Sequence, residues 1–170
     1  MSESLDVWMY VAGQLFLVPV LVAIGVAFGY AFFALGGLLL QWGQRARGAA
    51  AGFELLALRA ARPGALVADL EARALARLEL PRIVTRVAPM LGLVATMIPL
   101  GPALRALGAG DMGAMGRDLA MAFSAVILAL LASAITYVVS HVRRRWYAEE
   151  LLQVEKAERV SGSPVGEGAP

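Results

Sequence analysis

Thr96 and Ser124 are the side chains best placed to do chemistry, and both stand in long apolar surroundings. Thr96 lies in the stretch RVAPMLGLVATMIPLGPAL, Arg86–Leu104, which is apolar enough for lipid yet carries three prolines, two glycines and one threonine. Ser124 lies in the alanine-rich run that follows. A hydroxyl offers one donor and two acceptor lone pairs, so in an apolar setting it can hold water or face a carboxylate. The plainer alternative is a bond to a carbonyl one turn back in its own helix.

The chemistry that other residue types would supply is missing. There is no cysteine, which excludes disulfides, thiolate catalysis and cysteine metal sites. His141 is the single histidine and cannot join others around a metal. No nucleophile–base set or ligand cluster occurs, so we expect no catalytic residue, no metal, no cofactor and no enzymatic activity. No Asp, Glu, Lys or Arg lies within the apolar core of any long run. A proton carrier working alone needs an ionisable group at membrane depth. If ions cross here, another chain must supply the titrating group.

The elements that position these hydroxyls follow from composition. The chain has 170 residues, is 59% hydrophobic and 16% charged, and its mean hydropathy is +0.70. A soluble fold of this size keeps much of its area wet and cannot hide so much apolar surface. The expected class is therefore an all-α integral membrane protein. A crossing helix needs about 20 apolar residues, and three runs qualify: 7–40, 83–104 and 119–142. The first is longer than one crossing requires. Either its start, around Trp8–Gln14, lies along the interface or the helix is tilted, with Pro19 as a bend. The opening MSESLD is acidic where a signal peptide is basic, so the first run is expected to be retained.

Arginine sets the orientation. Arg45, Arg47, Arg59, Arg62, Arg73, Arg77 and Arg82 lie between the first two runs, Arg86 stands at the start of the second, and Arg143–Arg145 follow the third. Segment 105–118 has two arginines balanced by two aspartates. The positive-inside rule then puts residues 1–6 and 105–118 outside and the insert 41–82 and residues 143–170 in the cytoplasm of an inner membrane. Asp118 becomes a candidate at the outer mouth of the third span. Trp42 and Trp146–Tyr147 fall where an inner aromatic belt would sit, His141 reads as interfacial, and Arg143–Arg145 read as a topology anchor rather than a nucleic-acid site. Leucines at helical spacing make the insert helical, broken at Pro63–Gly64 into two helices that are expected to prolong the first two spans below the membrane. Arg73 and Arg77, near Glu71 and Glu79, read as a solvated face. The tail SGSPVGEGAP is expected to be disordered, from about residue 160.

Small residues recur every fourth position. Ala88, Gly92 and Thr96 do so in the second span, and Ala125, Ala129 and Ser133 in the third, with Thr136 and Ser140 nearby. This spacing lets helix backbones approach where lipid gives no hydrophobic drive. Ser124 points to the side opposite Ser133, which leaves a second face free and suggests an oligomer around a central space. Pro89, Pro99 and Pro102 free backbone carbonyls that must find partners in protein or water, so the second span does more than anchor.

The run EARALARLELPRIVTRVAPMLGLVATMIPLGPALRALGAGD, followed by LAMAFSAVILALLASAITYVVSHVRRRW, resembles the MotA/TolQ/ExbB proton-channel family. APMLGLVATM at Ala88–Met97 is similar to the family's AP-x-LGLLGT signature, and LGAGD at Leu107–Asp111 resembles the turn after that span. The resemblance covers about Leu70–Tyr147; the first span fits by position and orientation. It implies a homo-oligomer, a pentamer, around the helices of a dimeric single-span partner of the ExbD/TolR/MotB kind, with an aspartate in its membrane helix. Protons, or in some members sodium ions, would pass between them and drive rotation. Thr96 matches the family's span-two threonine, and Ser124 falls where many members have a span-three threonine, so both would line the ion path. Where ExbB- and TolQ-type members often place a glutamate, this chain has Leu119 with Asp118 adjacent. Ala95 stands for the second glycine of the signature.

Overall fold

A computed structural model describes residues 2–49, 52–62 and 66–162. The described residues form four helices: α1 (Ser2–Ala46), α2 (Glu54–Ala61), α3 (Val67–Gly108) and α4 (Met112–Gly162). Three of these hold stretches long and apolar enough to cross a membrane, at Gly13–Ala46, Val67–Gly108 and Met112–Ala157. The protein is an all-α membrane protein with a short helix between the first two spans.

The helices outrun the apolar stretches that start them. α1 continues past Leu40 to Ala46, and α3 joins the second half of the insert to the second span without interruption. Pro81, Pro89, Pro99 and Pro102 all lie inside α3, and Pro19 lies inside α1. The break expected at Pro63–Gly64 lies outside the described residues. α4 reaches Gly162, two residues into the stretch expected to be disordered; residues 163–170 are also outside the described set.

Segment 105–118 contracts to a turn at 109–111. Gly110 takes φ +78°, the left-handed conformation that favours glycine. Its N–H bonds the Leu107 carbonyl (3.1 Å) while the Asp111 N–H bonds Ala106 (2.9 Å), the paired bonds that close a helix C-terminus. Asp111 then accepts the Ala114 N–H at 2.8 Å and caps α4. LGAGD thus ends one long helix and starts the next. α1 ends the same way, with Gly48 at φ +68° and bonds from Gly48 to Arg45 and from Ala49 to Gln44.

The chain forms two compact units. The first comprises residues 1–35 and 81–138. Its interior consists mostly of alanine: Ala31, Ala88 and Ala132 form one buried cluster, and Ile24, Ala95, Ala125 and Ala129 another. Phe16, Phe33, Leu93, Met97, Phe123 and Ile127 are exposed. Small residues inside and large apolar ones outside reverse the water-soluble arrangement and suit helices packed in lipid. The buried positions Ala88, Gly92, Ala95 and Pro99 of α3, and Ala122, Ala125, Ala129, Ala132 and Thr136 of α4, alternate steps of three and four. That average of about 3.5 residues is the period of knobs-into-holes packing.

The second unit comprises residues 36–80 and 139–170. Leu55, Ala74, Leu78 and Tyr147 form its core, so Tyr147 is buried in protein rather than standing in an aromatic belt. Its hydroxyl donates to the Glu54 carboxylate at 3.0 Å. Gly37 leaves room for Arg143: a Cβ there would meet a guanidinium nitrogen at 3.2 Å.

Candidate functional site

The every-fourth stripes read from the sequence drift off this 3.5-residue seam. Ala88 and Gly92 are buried, but one more step of four reaches Thr96, which is half-buried while Ala95 takes the seam. Likewise Ala125 and Ala129 are buried, while Ser133 is half-buried beside Ala132. Ser124 is exposed and Asp118 half-buried.

The Thr96 hydroxyl donates to the Leu93 carbonyl at 2.7 Å, and Ser124 donates to Ala120 at 2.9 Å. In the isolated chain both make the local bond common to hydroxyls in membrane helices. They do not bond each other. Their chain neighbours Ala95 and Ala125 nevertheless share one buried cluster, so the two hydroxyls flank the same stretch of the α3–α4 seam. A hydroxyl donating to its own helix keeps its acceptor lone pairs open.

Ala88, Gly92, Ala125 and Ala129 line the contact itself. A Cβ built on Gly92 would lie 3.0 Å from the Ala129 Cβ and 3.6 Å from the Val126 Cα. Ser133 does something further: its hydroxyl crosses from α4 to the Thr85 carbonyl of α3 at 2.7 Å. Beside it, the Thr85 and Thr136 hydroxyl oxygens stand 3.0 Å apart. Thr85 also reaches the Pro81 carbonyl at 2.8 Å, and the fully buried Thr136 reaches Ala132 at 2.8 Å. Thr136 also lies 3.1 Å from the Ser133 carbonyl, so the two threonine protons are shared among four contacts, one of them between the hydroxyls themselves.

Thr85 was not singled out in the sequence, although its position four residues before Pro89 is a usable signal. Glu150 was missed as well. Only 1% exposed, it forms an ion pair with Arg45 in the second unit and accepts the backbone N–H groups of Leu55 (2.7 Å) and Leu56 (3.4 Å). Phe53 precedes α2 with no side-chain cap of its own, so a carboxylate from α4 supplies one. Arg45 also donates to the Gly52 carbonyl at 2.7 Å and lies over the rings of Trp146 (4.4 Å) and Phe53 (4.8 Å). Trp146 thus packs on a cation within the protein.

Apolar helices with small residues at their seam, and hydroxyls that cross it, define a polytopic helical membrane protein. Residues 63–156 match the profile of the MotA/TolQ/ExbB proton channel family. The match covers more than half of the chain, all of α3 and most of α4, and the protein belongs to that family. Searches of curated proteins and of solved structures give no match.

Proposed function

We propose that this chain is an ion-conducting subunit, with the proton as the ion, that uses the proton-motive force together with a single-span partner to do mechanical work. The observation that carries the reading is the family match across α3 and α4, in which the apolar cores hold hydroxyls and no carboxyl group. Thr96 and Ser124 then line the path, and the partner's helix contributes the titrating aspartate. Moving one charge across 100 mV yields about 2.3 kcal/mol. That biases one rotational step between near-equivalent registers, and larger work accumulates over several ions.

The partner and a homo-oligomer also account for uncovered surface. In the most apolar window of each span, only 17%, 28% and 28% of residues are buried. Gly25 and Gly29, one turn apart on α1, are exposed with open space where a Cβ would stand, which leaves room for another helix to approach. Residues 1–6 would lie outside an inner membrane, with the arginine-rich segments 41–82 and 143–170 in the cytoplasm. The test is co-expression with the product of a neighbouring gene for a short protein with one Asp-bearing apolar span. Co-purification of several copies of this chain per partner is the expected result, and a chain that leaves the partner behind contradicts the reading.

A second reading, a non-conducting scaffold, draws on the local bonds made by Thr96 and Ser124. Its mark is full activity of the parent complex when Thr96→Val and Ser124→Ala are combined.

A further inference from the structure

We infer that Ser133 is a positioning residue. Its hydroxyl replaces the backbone bond that Pro89 removes, and this holds the Thr96-bearing half of α3 in register on α4. Proline has no N–H and cannot bond the carbonyl four residues earlier. For Pro89 that carbonyl belongs to Thr85, inside a helix that continues unbroken to Gly108. In an apolar interior an unpaired carbonyl is costly and must be satisfied from outside the helix. The group that reaches the Thr85 carbonyl is the Ser133 hydroxyl, at 2.7 Å.

The neighbouring groups make this a defined joint. Ala88, directly before the proline, is buried against Ala31 and Ala132, the residue before Ser133. The Thr85 and Thr136 hydroxyls meet at 3.0 Å on the same pair of helices. Gly92, one turn beyond Pro89, packs directly on Ala129. From Pro89 to Thr96 the helix rises by about 10 Å at its usual pitch. A shift at the joint is therefore carried along α3 to Thr96. The importance of that shift for ion flux rests on the function proposed above; the coupling of Ser133 to Pro89 does not.

The coupling gives an unusual double-mutant cycle. Ser133→Ala strands the Thr85 carbonyl, and the full chain in detergent should lose about 2–4 °C in Tm. Pro89→Ala restores an N–H for that carbonyl, so adding Ser133→Ala to it should cost almost nothing. A serine that merely packs would cost the same in both backgrounds, and that result overturns the proposal. Ser133→Thr, which keeps the hydroxyl, should restore Tm.

Register is read separately, because the chain has no native cysteine. Gly92→Cys with Ala129→Cys places two Cβ atoms 3.0 Å apart. The helices must part by about 0.8 Å to reach the usual disulfide spacing of about 3.8 Å, so rates are compared within this one background. Oxidation should be fast with Ser133, slow with Ser133→Ala, and fast again when Pro89→Ala is added. Equal rates in all three contradict a positioning role. In the reconstituted complex, Ser133→Ala should lower proton flux and Ser133→Thr should not. Unchanged flux removes the functional half of the inference and leaves the reading of Thr96 to its own test.

Discussion

Gly92 of α3 and Ala129 of α4 meet with no room for another methyl group: a Cβ at Gly92 would stand 3.0 Å from the Ala129 Cβ. The contact exists because membrane helices gain little from burying large apolar groups and associate instead through close backbone approach. Gly92→Val should therefore cost about 1–3 kcal/mol, the usual range for overpacking a fitted interior. Adding Ala129→Gly should recover part of that loss. Thermal unfolding of the purified chain in detergent reads both; additive losses would show that the two residues do not share a contact.

Glu150 should be among the most sensitive positions in the second unit. Glu150→Ala leaves Arg45, itself 11% exposed, without its carboxylate and α2 without its cap. Breaking a buried pair from one side costs about 3–5 kcal/mol. Protease cutting and hydrogen exchange should rise across residues 52–62 first. Glu150→Gln keeps an acceptor for the Leu55 N–H and should fall between the two. Arg77, which pairs with Glu54 at 3.0 Å but is 66% exposed, offers the contrast: Arg77→Ala should change stability by less than about 1 kcal/mol.

Thr136→Val should cost about 0.6 kcal/mol, the mean for a hydrogen bond between membrane helices. The Thr136 contact with Thr85 is one of four shared by two protons. Thr85→Val and Thr136→Val should therefore be less than additive when combined. Unfolding midpoints of the two single variants and the double variant measure this; strict additivity would mean that the hydroxyls act independently.

Much of this fold is legible in the sequence, because lipid imposes simple rules. The apolar runs mark three spans, and the small residues mark the seam between α3 and α4. The step of four used to trace that seam was slightly too long, since coiled packing repeats every 3.5 residues. The shift moves Thr96 and Ser133 from the middle of the contact to its edge. The length of α4 was harder to see. Pro81 sits buried inside α3, which runs unbroken past it, and polar residues beyond the third span carry α4 on to Gly162. Glu150 could not be found from local pattern, because its partners lie about a hundred residues earlier. The bond from Ser133 to Thr85 is intermediate in this respect. Pro89 announces an orphan carbonyl, but only packing identifies the hydroxyl that answers it.

The central claim is that Thr96 takes part in ion movement through a complex that this chain forms with a partner. Its side chain already donates to Leu93, so Thr96→Val removes a local bond and the open acceptor pairs while keeping volume and shape. The direct measurement is proton flux into vesicles holding the reconstituted complex under an imposed membrane potential, wild type against Thr96→Val, with assembly checked by co-purification. The expected result is an intact complex whose flux falls by about tenfold or more, equivalent to about 1.4 kcal/mol on the rate-limiting barrier. An intact complex with wild-type flux would contradict the account.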